Sequence, residues 1–425
     1  MHDGGGNEGL RNMTYRLRCT DCGTEYGATE VEYLCPACGP RSAAGFAPRG
    51  VLRIEYEATR AAAFPDPAYA DSRRWHALLP LDSPASMPPL PVGPTPLHHV
   101  ERLGRELGLS NLRIKDDTNL PTGSLKDRAS SVVVAKAREL GRDTITTAST
   151  GNAAVALAAM AASVGLRAVI LVPRTAPIAK RTQMLVFGAT VVPVEGTYDD
   201  AYALSLEATR VFCWYNRSTA YNPITVDGKK TVAFEIWEQL GRRAPDAVIV
   251  PTGDGVILSA VHKGFCDLKD AGLVERLPRL YAAQAEGSAA IARSLDLDGD
   301  DVPAHEGAKT IADSICVGAP AAGRWAKRAI RETGGAGLVV TDDEITAAIG
   351  VLGRTSGIFC EPAAAAAVAG TRKAARQGLV RPDETVVTLV TGSGLKDVAA
   401  ATRAVTMPDP IAPTIGALRD RLGAR

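Results

Sequence analysis

The sequence predicts an α/β protein built on parallel sheets. Three observations lead there. Short β-branched runs alternate with longer helix-like segments from residue 97 onward: "NLRIKDD", "DTITTAST", "RAVILVPR", "ATVVPVEG", "DAVIVPTGDG", "RLYAAQAEG" and "ETVVTLVTGSG". These runs are apolar enough to be covered on both faces, as strands flanked by helices are. Several end in small, polar, glycine-containing turns, which is where open parallel sheets bind ligands.

With 425 residues the chain is long enough for two or three domains. Its 48 basic and 47 acidic residues nearly cancel. No global field therefore favours nucleic acid or an anionic membrane, and any anion must be held by a local site. No stretch reaches the roughly 18 uncharged apolar residues of a membrane span. The longest apolar run, "AAVALAAMAASVGL" from Ala153, reads as a buried helix. Residues 1–14 show neither a signal core nor a transit-peptide pattern, and the expectation is a flexible leader on a cytoplasmic protein.

Next comes a cysteine module. "CTDC" at Cys19 and Cys22 and "CPAC" at Cys35 and Cys38 are two knuckles with twelve residues between them. That spacing presents four thiolates to one tetrahedral zinc, a closed structural site without an open coordination position. A zinc ribbon is expected over 15–45. Cys213, Cys266, Cys316 and Cys360 lack such spacing and read as core or incidental thiols. The Pro- and Ala-rich stretch from Ala61 to Pro96 reads as extended connecting chain.

The chemistry concentrates in four junctions. "LPTGSLKDRAS" at 120–130 places Lys126 between a strand and a helix; "TASTGNAA", "PTGDGVI" and "VTGSGLKD" are glycine turns after strands. A helix that starts after glycines offers free N–H groups and a favourable dipole to phosphate. Neither a dinucleotide fingerprint nor a triphosphate-binding loop is present. A lysine together with a small phosphate cradle fits pyridoxal phosphate, which needs an amine for its imine and a mount for its tail.

"NLPTGSLKDRAS" closely resembles the lysine motif of threonine synthases, within the fold-type II pyridoxal phosphate enzymes. "ASTGNAAVALAAMAASVG", "YNPITVDGKKTVAFEIWEQLG", "AEG" at Glu286, "TSGIFCEPAAAA" and "TGSGLKD" match in order, and the cysteine ribbon is familiar from part of that family. The resemblance implies two parallel-sheet α/β domains of the tryptophan synthase β-like kind with the cofactor in the cleft between them. A large domain over 46–118 plus 219–425 would carry a small inserted domain over 119–218. It also implies a homodimer acting on a small amino-acid substrate.

Carried over residue by residue, Lys126 would hold the cofactor as an imine and serve as catalytic base and acid, and Asn152 would bond its phenolic oxygen. Gly253, Asp254, Gly255, Val256 and Ile257 would take the phosphate, with the Asp254 side chain turned away. Thr391 would face the pyridine nitrogen, with Ser393 as second candidate; a hydroxyl there leaves a weaker electron sink than a carboxylate and favours elimination and replacement. Ser149, Thr150 and Gly151 would hold the substrate carboxylate, and Asn222 the substrate phosphate. Asp127 and Arg128 would position the helix start.

The departures bear on substrate. Where the family tends to read Ser-x-Asn-Pro-x-Arg, this chain has Ala220 and Thr225 in place of the serine and arginine. A threonine supplies neither the charge nor the donor fork of an arginine. Either another cation, Lys115, Lys180, Arg181 or Lys229, replaces it, or the substrate is not O-phosphohomoserine. The expected activity is conversion of O-phosphohomoserine and water to threonine and phosphate. The alternatives are a paralogue performing β-replacement or β-elimination on O-phosphoserine or a hydroxy-amino acid, and a ligand sensor that has lost the reaction.

Overall fold

A computed structural model describes residues 15–56, 64–174 and 178–423, so the leader expected over 1–14 lies outside it. The chain opens with a three-stranded antiparallel sheet of β1 (Tyr15–Cys19), β2 (Glu25–Gly27) and β3 (Leu52–Tyr56), in the order β2-β1-β3. Tyr15, Leu17 and Cys19 point inward and Arg16 and Arg18 outward, the period-two pattern of a half-buried strand. The third strand lies past residue 45. Gly50 turns the chain into it at φ +84°, beside Gly39 where a Cβ would come within 2.6 Å of backbone nitrogen.

The Pro-rich stretch after Phe64 is extended apart from 3-10 turns at Ser72–Leu78 and Pro84–Ser86. It is more than a connector, because Trp75 is buried against Phe64 and Phe234, with ring centroids 5.2 and 5.7 Å away.

Two parallel sheets follow. The chain runs β4 (Leu97–His99), α1 (Glu101–Leu107), β5 (Asn111–Asp116) and α2 (Lys126–Glu139). It continues through β6 (Thr144–Ala148), α3 (Asn152–Ala162), β7 (Arg167–Pro173), α4 (Ile178–Val186), β8 (Thr190–Val194), α5 (Tyr198–Phe212) and β9 (Tyr215–Asn216). After α6 (Ile224–Gln239) come β10 (Ala247–Pro251), α7 (Val256–Asp270), β11 (Arg279–Ala285), α8 (Ala290–Ser294), α9 (Gly323–Glu332) and β12 (Gly337–Val340). The last elements are α10 (Asp342–Ser356), α11 (Pro362–Arg376), β13 (Thr385–Val390), α12 (Val398–Ala401) and α13 (Ile415–Leu422).

Strands β6 to β9 form a parallel sheet ordered β8-β7-β6-β9. The larger sheet is ordered β12-β11-β10-β13-β5-β4 and is parallel except for β4 on its edge. The chain thus leaves the large sheet after β5, builds the smaller one and returns. Every residue of β6 and β10 is buried, as expected of strands covered on both faces, although β6 carries three threonines.

Between β5, α2 and α6 lies a buried ion network. Arg128, 1% exposed, donates from Nε and Nη2 to Asp117 at 2.8 Å each and from Nη1 to Glu235 at 2.5 Å. Lys115 Nζ donates to Glu235 Oε2 at 2.6 Å, and the Thr95 N–H donates to the same oxygen at 2.9 Å. Burial alone would raise the Glu235 carboxyl, yet Arg128 and Lys115 hold it down at about 2. Lys115 is thereby committed away from any substrate.

Glu235→Gln leaves two buried cations short of a partner and is expected to cost about 3–5 kcal/mol in denaturant unfolding. Because the folded value lies below that of an unfolded glutamate, about 4.3, this contribution is complete above that pH. It should fade as pH falls toward about 2, and acid titration of wild type and variant should show the two stability curves converging there.

Candidate active site

Five junctions meet at the carboxyl ends of the parallel strands. The turn after β5 leads into Lys126 at the start of α2. The turn after β6 carries Ser149, Thr150 and Gly151 into α3, and Arg217 follows β9 directly. Gly253 to Gly255 join β10 to α7, and Thr391 follows β13. This is the crevice in which open parallel sheets bind ligands.

Lys126 is half-buried, and its neighbours are fixed by backbone. The Leu125 N–H donates to the Thr391 carbonyl at 2.9 Å, so Thr391 sits beside the lysine. Asp127 accepts from the Thr122 N–H at 2.7 Å and from its hydroxyl at 2.6 Å, closing the loop ahead of the helix. Burial lowers the Lys126 amine; Asp254 and Glu361 oppose the shift and Arg217 adds to it.

Asn152 starts α3 and donates through Nδ2 to Glu361 Oε1 and Oε2 at 2.8 and 3.0 Å. Its Oδ1 is buried without a partner. Burial raises the Glu361 carboxyl, against the Asn152 hydrogen bond and the charges of Lys180, Lys126 and Lys396. Gly392 makes room for this carboxylate, which a Cβ there would strike. The sequence reading placed no role on Glu361. Its signal was available, because Glu361 is the one acid between Glu344 and Asp383 and it stands before a proline that opens an alanine-rich helix.

Ser149 Oγ accepts from the Gly151 N–H at 3.2 Å, and Gly151 is the N-cap of α3. Lys180 Nζ lies 3.9 Å from the position of a Cβ on Gly151 and pairs with Asp313 at 2.9 Å. In the turn after β10, Gly255 adopts φ +82°, and its missing Cβ would meet the Ala322 carbonyl at 2.9 Å. Gly253 is packed as closely on Ile315. Asp254 departs from expectation: its side chain does not turn away, and Oδ1 accepts the Val256 N–H at 3.0 Å. A free N–H at a helix start attracts the nearest carboxylate, as it would a phosphate.

In the segment before α6, Asn222 is fully buried. It donates to the Asn216 carbonyl at 2.8 Å and accepts from the Ile224 N–H at 2.9 Å, so both ends of its amide shape the backbone. The Thr225 hydroxyl bonds the carbonyls of Asn222 and Thr219. Two other side chains stand out here. Arg217, 1% exposed, has one bond from Nε to Ser130 Oγ at 3.2 Å and a buried Nη2 without a partner. Lys229, 2% exposed, lies one helical turn after Thr225. Burial lowers Arg217 to about 10. Burial also pushes Lys229 far down, with Arg217 and Lys126 adding to the shift and Asp254 opposing it. Arg217 was not singled out from sequence, since one arginine in "YNRSTA" carries no spacing signal.

At the N-terminus, the sulfurs of Cys19, Cys22, Cys35 and Cys38 all lie within 4.8 Å of one another, with Cys22 and Cys35 at 3.9 Å. The ribbon is docked on the body. Asp21 accepts from Arg324 Nε at 2.7 Å, the Ala47 N–H bonds the Val302 carbonyl at 2.9 Å, and Tyr33 accepts the Asn216 N–H at 3.0 Å.

Buried orphaned polar atoms fit a polar ligand in the crevice: Asn152 Oδ1, Ser124 Oγ and Arg217 Nη2 are each unsatisfied there. Pyridoxal phosphate, with a phenolic oxygen, a phosphate and an aldehyde, suits a site of lysine, asparagine and helix N-termini. Among the described residues no helix is long and apolar enough to cross a membrane.

Comparison with known proteins agrees. Residues 89–392 match the family described as pyridoxal-phosphate dependent enzyme. The chain is 35% identical over 416 residues to a threonine synthase of Methanosarcina acetivorans, covering 96% of this chain and 98% of that one. It is 36% identical over 400 residues to a threonine synthase of Methanocaldococcus jannaschii, covering 92% and 95%. Among solved structures, an Escherichia coli diaminopropionate ammonia lyase superposes with a TM-score of 0.65 at 17% identity, covering 93% of this chain and 97% of that one. The processed threonine deaminase isoform 2 of Solanum lycopersicum gives 0.63 at 23%, covering 73% and 87%. At those identities the structures share the fold alone. The chain belongs to the fold-type II pyridoxal-phosphate-dependent enzymes and is threonine-synthase-like.

Proposed function

We propose that the protein converts O-phosphohomoserine and water to threonine and phosphate. The observation that carries this reading is the pair of buried basic side chains, Arg217 and Lys229, near Lys126, both pushed down by burial, whose charge a bound phosphate would restore. An unpaired buried charge is costly and is retained where a ligand neutralises it. The Arg217 N–H donates to the Thr146 carbonyl on β6 at 2.8 Å, the strand that leads into Ser149. That bond supports a substrate-side role for Arg217, with the N–H groups of Gly255 to Ile257 at the start of α7 left to the cofactor phosphate. Lys229 thus supplies charge that Thr225 lacks, and two curated threonine synthases related over nearly the whole chain support the same chemistry.

When bound, pyridoxal phosphate supplies an electron sink for charge developed at the substrate Cα. Ser149, Thr150 and Gly151 hold the substrate carboxylate at the mouth of α3. Lys126, its amine lowered by burial, is placed to take the Cα proton and then a Cβ proton, and later to return protons to Cγ and Cα. Arg217 and Lys229 draw the γ-phosphate into the crevice and stabilise it as the C–O bond at Cγ breaks; water then adds its hydroxyl at Cβ. Glu361 orients the Asn152 amide, which would meet the cofactor's phenolic oxygen, and the Val256 N–H, now bonded by Asp254, would hold the cofactor phosphate. Thr391 faces the ring nitrogen. Cys19, Cys22, Cys35 and Cys38 would hold a zinc that keeps the ribbon folded, and Tyr33 of the ribbon steadies Asn216 ahead of Arg217.

Wild-type protein loaded with pyridoxal phosphate is expected to release phosphate and form threonine from O-phosphohomoserine. Lys126→Ala should lose both the turnover and the visible imine absorption; an intact absorption without turnover in the wild type would sink the reading and point to O-phosphoserine, serine or threonine instead.

Lys229→Gln and Arg217→Lys each weaken a charge-assisted contact of about 1.5–3 kcal/mol. Each should raise KM for the phosphorylated substrate roughly 10- to 150-fold while leaving the cofactor absorption in place. Steady-state kinetics beside the spectrum separate the two effects.

Cys22→Ser should lower zinc content and Tm, and should raise KM more than it lowers kcat, because the ribbon reaches the site through Tyr33 and Asn216. Metal analysis, calorimetry and kinetics on one preparation check this.

A further inference from the structure

Away from the crevice, α7 and α9 bring together three side chains with no part in the chemistry above. His262 and Cys266 are four residues apart on α7 and therefore on one face. Glu332 is the last residue of α9. His262 Nε2 lies 3.2 Å from Glu332 Oε2 and 3.5 Å from Cys266 Sγ, and the three donor atoms fall within 4.8 Å of one another.

We propose that His262, Cys266 and Glu332 form a second zinc site, separate from the four-cysteine ribbon. The spacing fits the metal: bonds of about 2.0–2.3 Å in a tetrahedron set donor atoms about 3.3–3.7 Å apart. The imidazole, thiolate and carboxylate together are a borderline-soft donor set that suits zinc over magnesium or calcium. A thiolate and a carboxylate carry two negative charges, which neutralise a divalent ion. Two cations that act on Cys266 are taken, since Arg53 is bound to Glu55 at 3.1 Å and Lys263 to Asp267. His262 is buried, whereas the Glu332 side chain is 57% exposed, so one wall of the site is solid and the other opens to solvent for metal entry and for a water as fourth ligand.

The position gives such a site a consequence. Helix α7 begins at the turn Gly253 to Gly255, and α9 packs against that turn through Ala322 and Ala326, which a Cβ on Gly255 would meet at 2.9 and 3.1 Å. A metal tying Glu332 to His262 and Cys266 clamps together the two helices that shape this turn. The site leaves no spacing signal, because Cys266 lacks a second cysteine at knuckle spacing and Glu332 is distant along the chain.

The test uses the full-length holoenzyme equilibrated with micromolar zinc and then desalted. About two zinc ions per chain are expected by elemental analysis in the wild type, and about one in His262→Gln and in Cys266→Ser. Zinc should also protect Cys266 of the wild type from alkylation, read by peptide mass mapping with and without added zinc, a measurement that does not depend on any variant folding. One zinc or fewer in the wild type, the same content in wild type and variants, or alkylation of Cys266 at the same rate with and without zinc would each overturn the proposal.

Discussion

The guanidinium of Arg128 is the constraint on which the crevice depends. It stands two residues after Lys126, and it joins Asp117 on the turn after β5 to Glu235 on α6, with Lys115 of β5 closing the network. The segment from Lys115 to Arg128 and the distant Glu235 on α6 are thereby set at fixed distances. Removing one carboxylate exposes the rest to an uncompensated charge, so the network acts as a unit. The start of α2 is held from behind by this network and from in front by the Asp127 bonds to Thr122. The lysine side chain is therefore presented from a rigid base, as a group that must meet a cofactor atom within a fraction of an ångström requires.

The segment 216–222 is held in a comparable way, from outside the two large sheets. Tyr33 of the ribbon accepts the Asn216 N–H, and its ring stacks on Tyr221 with centroids 4.4 Å apart. Asn222 ties back to Asn216, and Arg217 is bonded to β6 by backbone. A four-cysteine module with no open coordination position thus has a mechanical link to the crevice. A small ribbon has too little apolar core to hold its shape alone, so a metal in it would stiffen the segment that carries Arg217.

The alternation of strand and helix made the two-sheet architecture legible, because strands buried on both faces write continuous apolar runs into the sequence. The three glycine turns and the Lys126 junction were legible for the same reason, since each sits where a strand ends. Side-chain direction was not. Asp254 was expected to face away, yet the free N–H of Val256 holds it; Asn222 survives from the family pattern while its amide is spent on backbone. Arg217 and Glu361 went unread because their meaning comes from burial without, or across, a partner, and burial of single polar residues leaves no periodic trace. His262, Cys266 and Glu332 are separated by up to seventy positions and meet only through helix packing.

The substitution that put the substrate in doubt also shows how the chain accommodates it. Thr225 and Lys229 are four apart on α6, one turn along the same face. Moving a cation by one turn of helix shifts its root by about 5.4 Å, a distance that a long flexible side chain spans. The Thr225 hydroxyl then satisfies the carbonyls of Thr219 and Asn222, which a larger arginine at that place would have to displace. A lysine is a point charge without a planar fork, so under the proposed reading the directional part of phosphate recognition would pass to Arg217, whose buried Nη2 has no partner. Charge and direction, which one arginine could supply together, would under that reading be divided between two residues that approach from β9 and from α6.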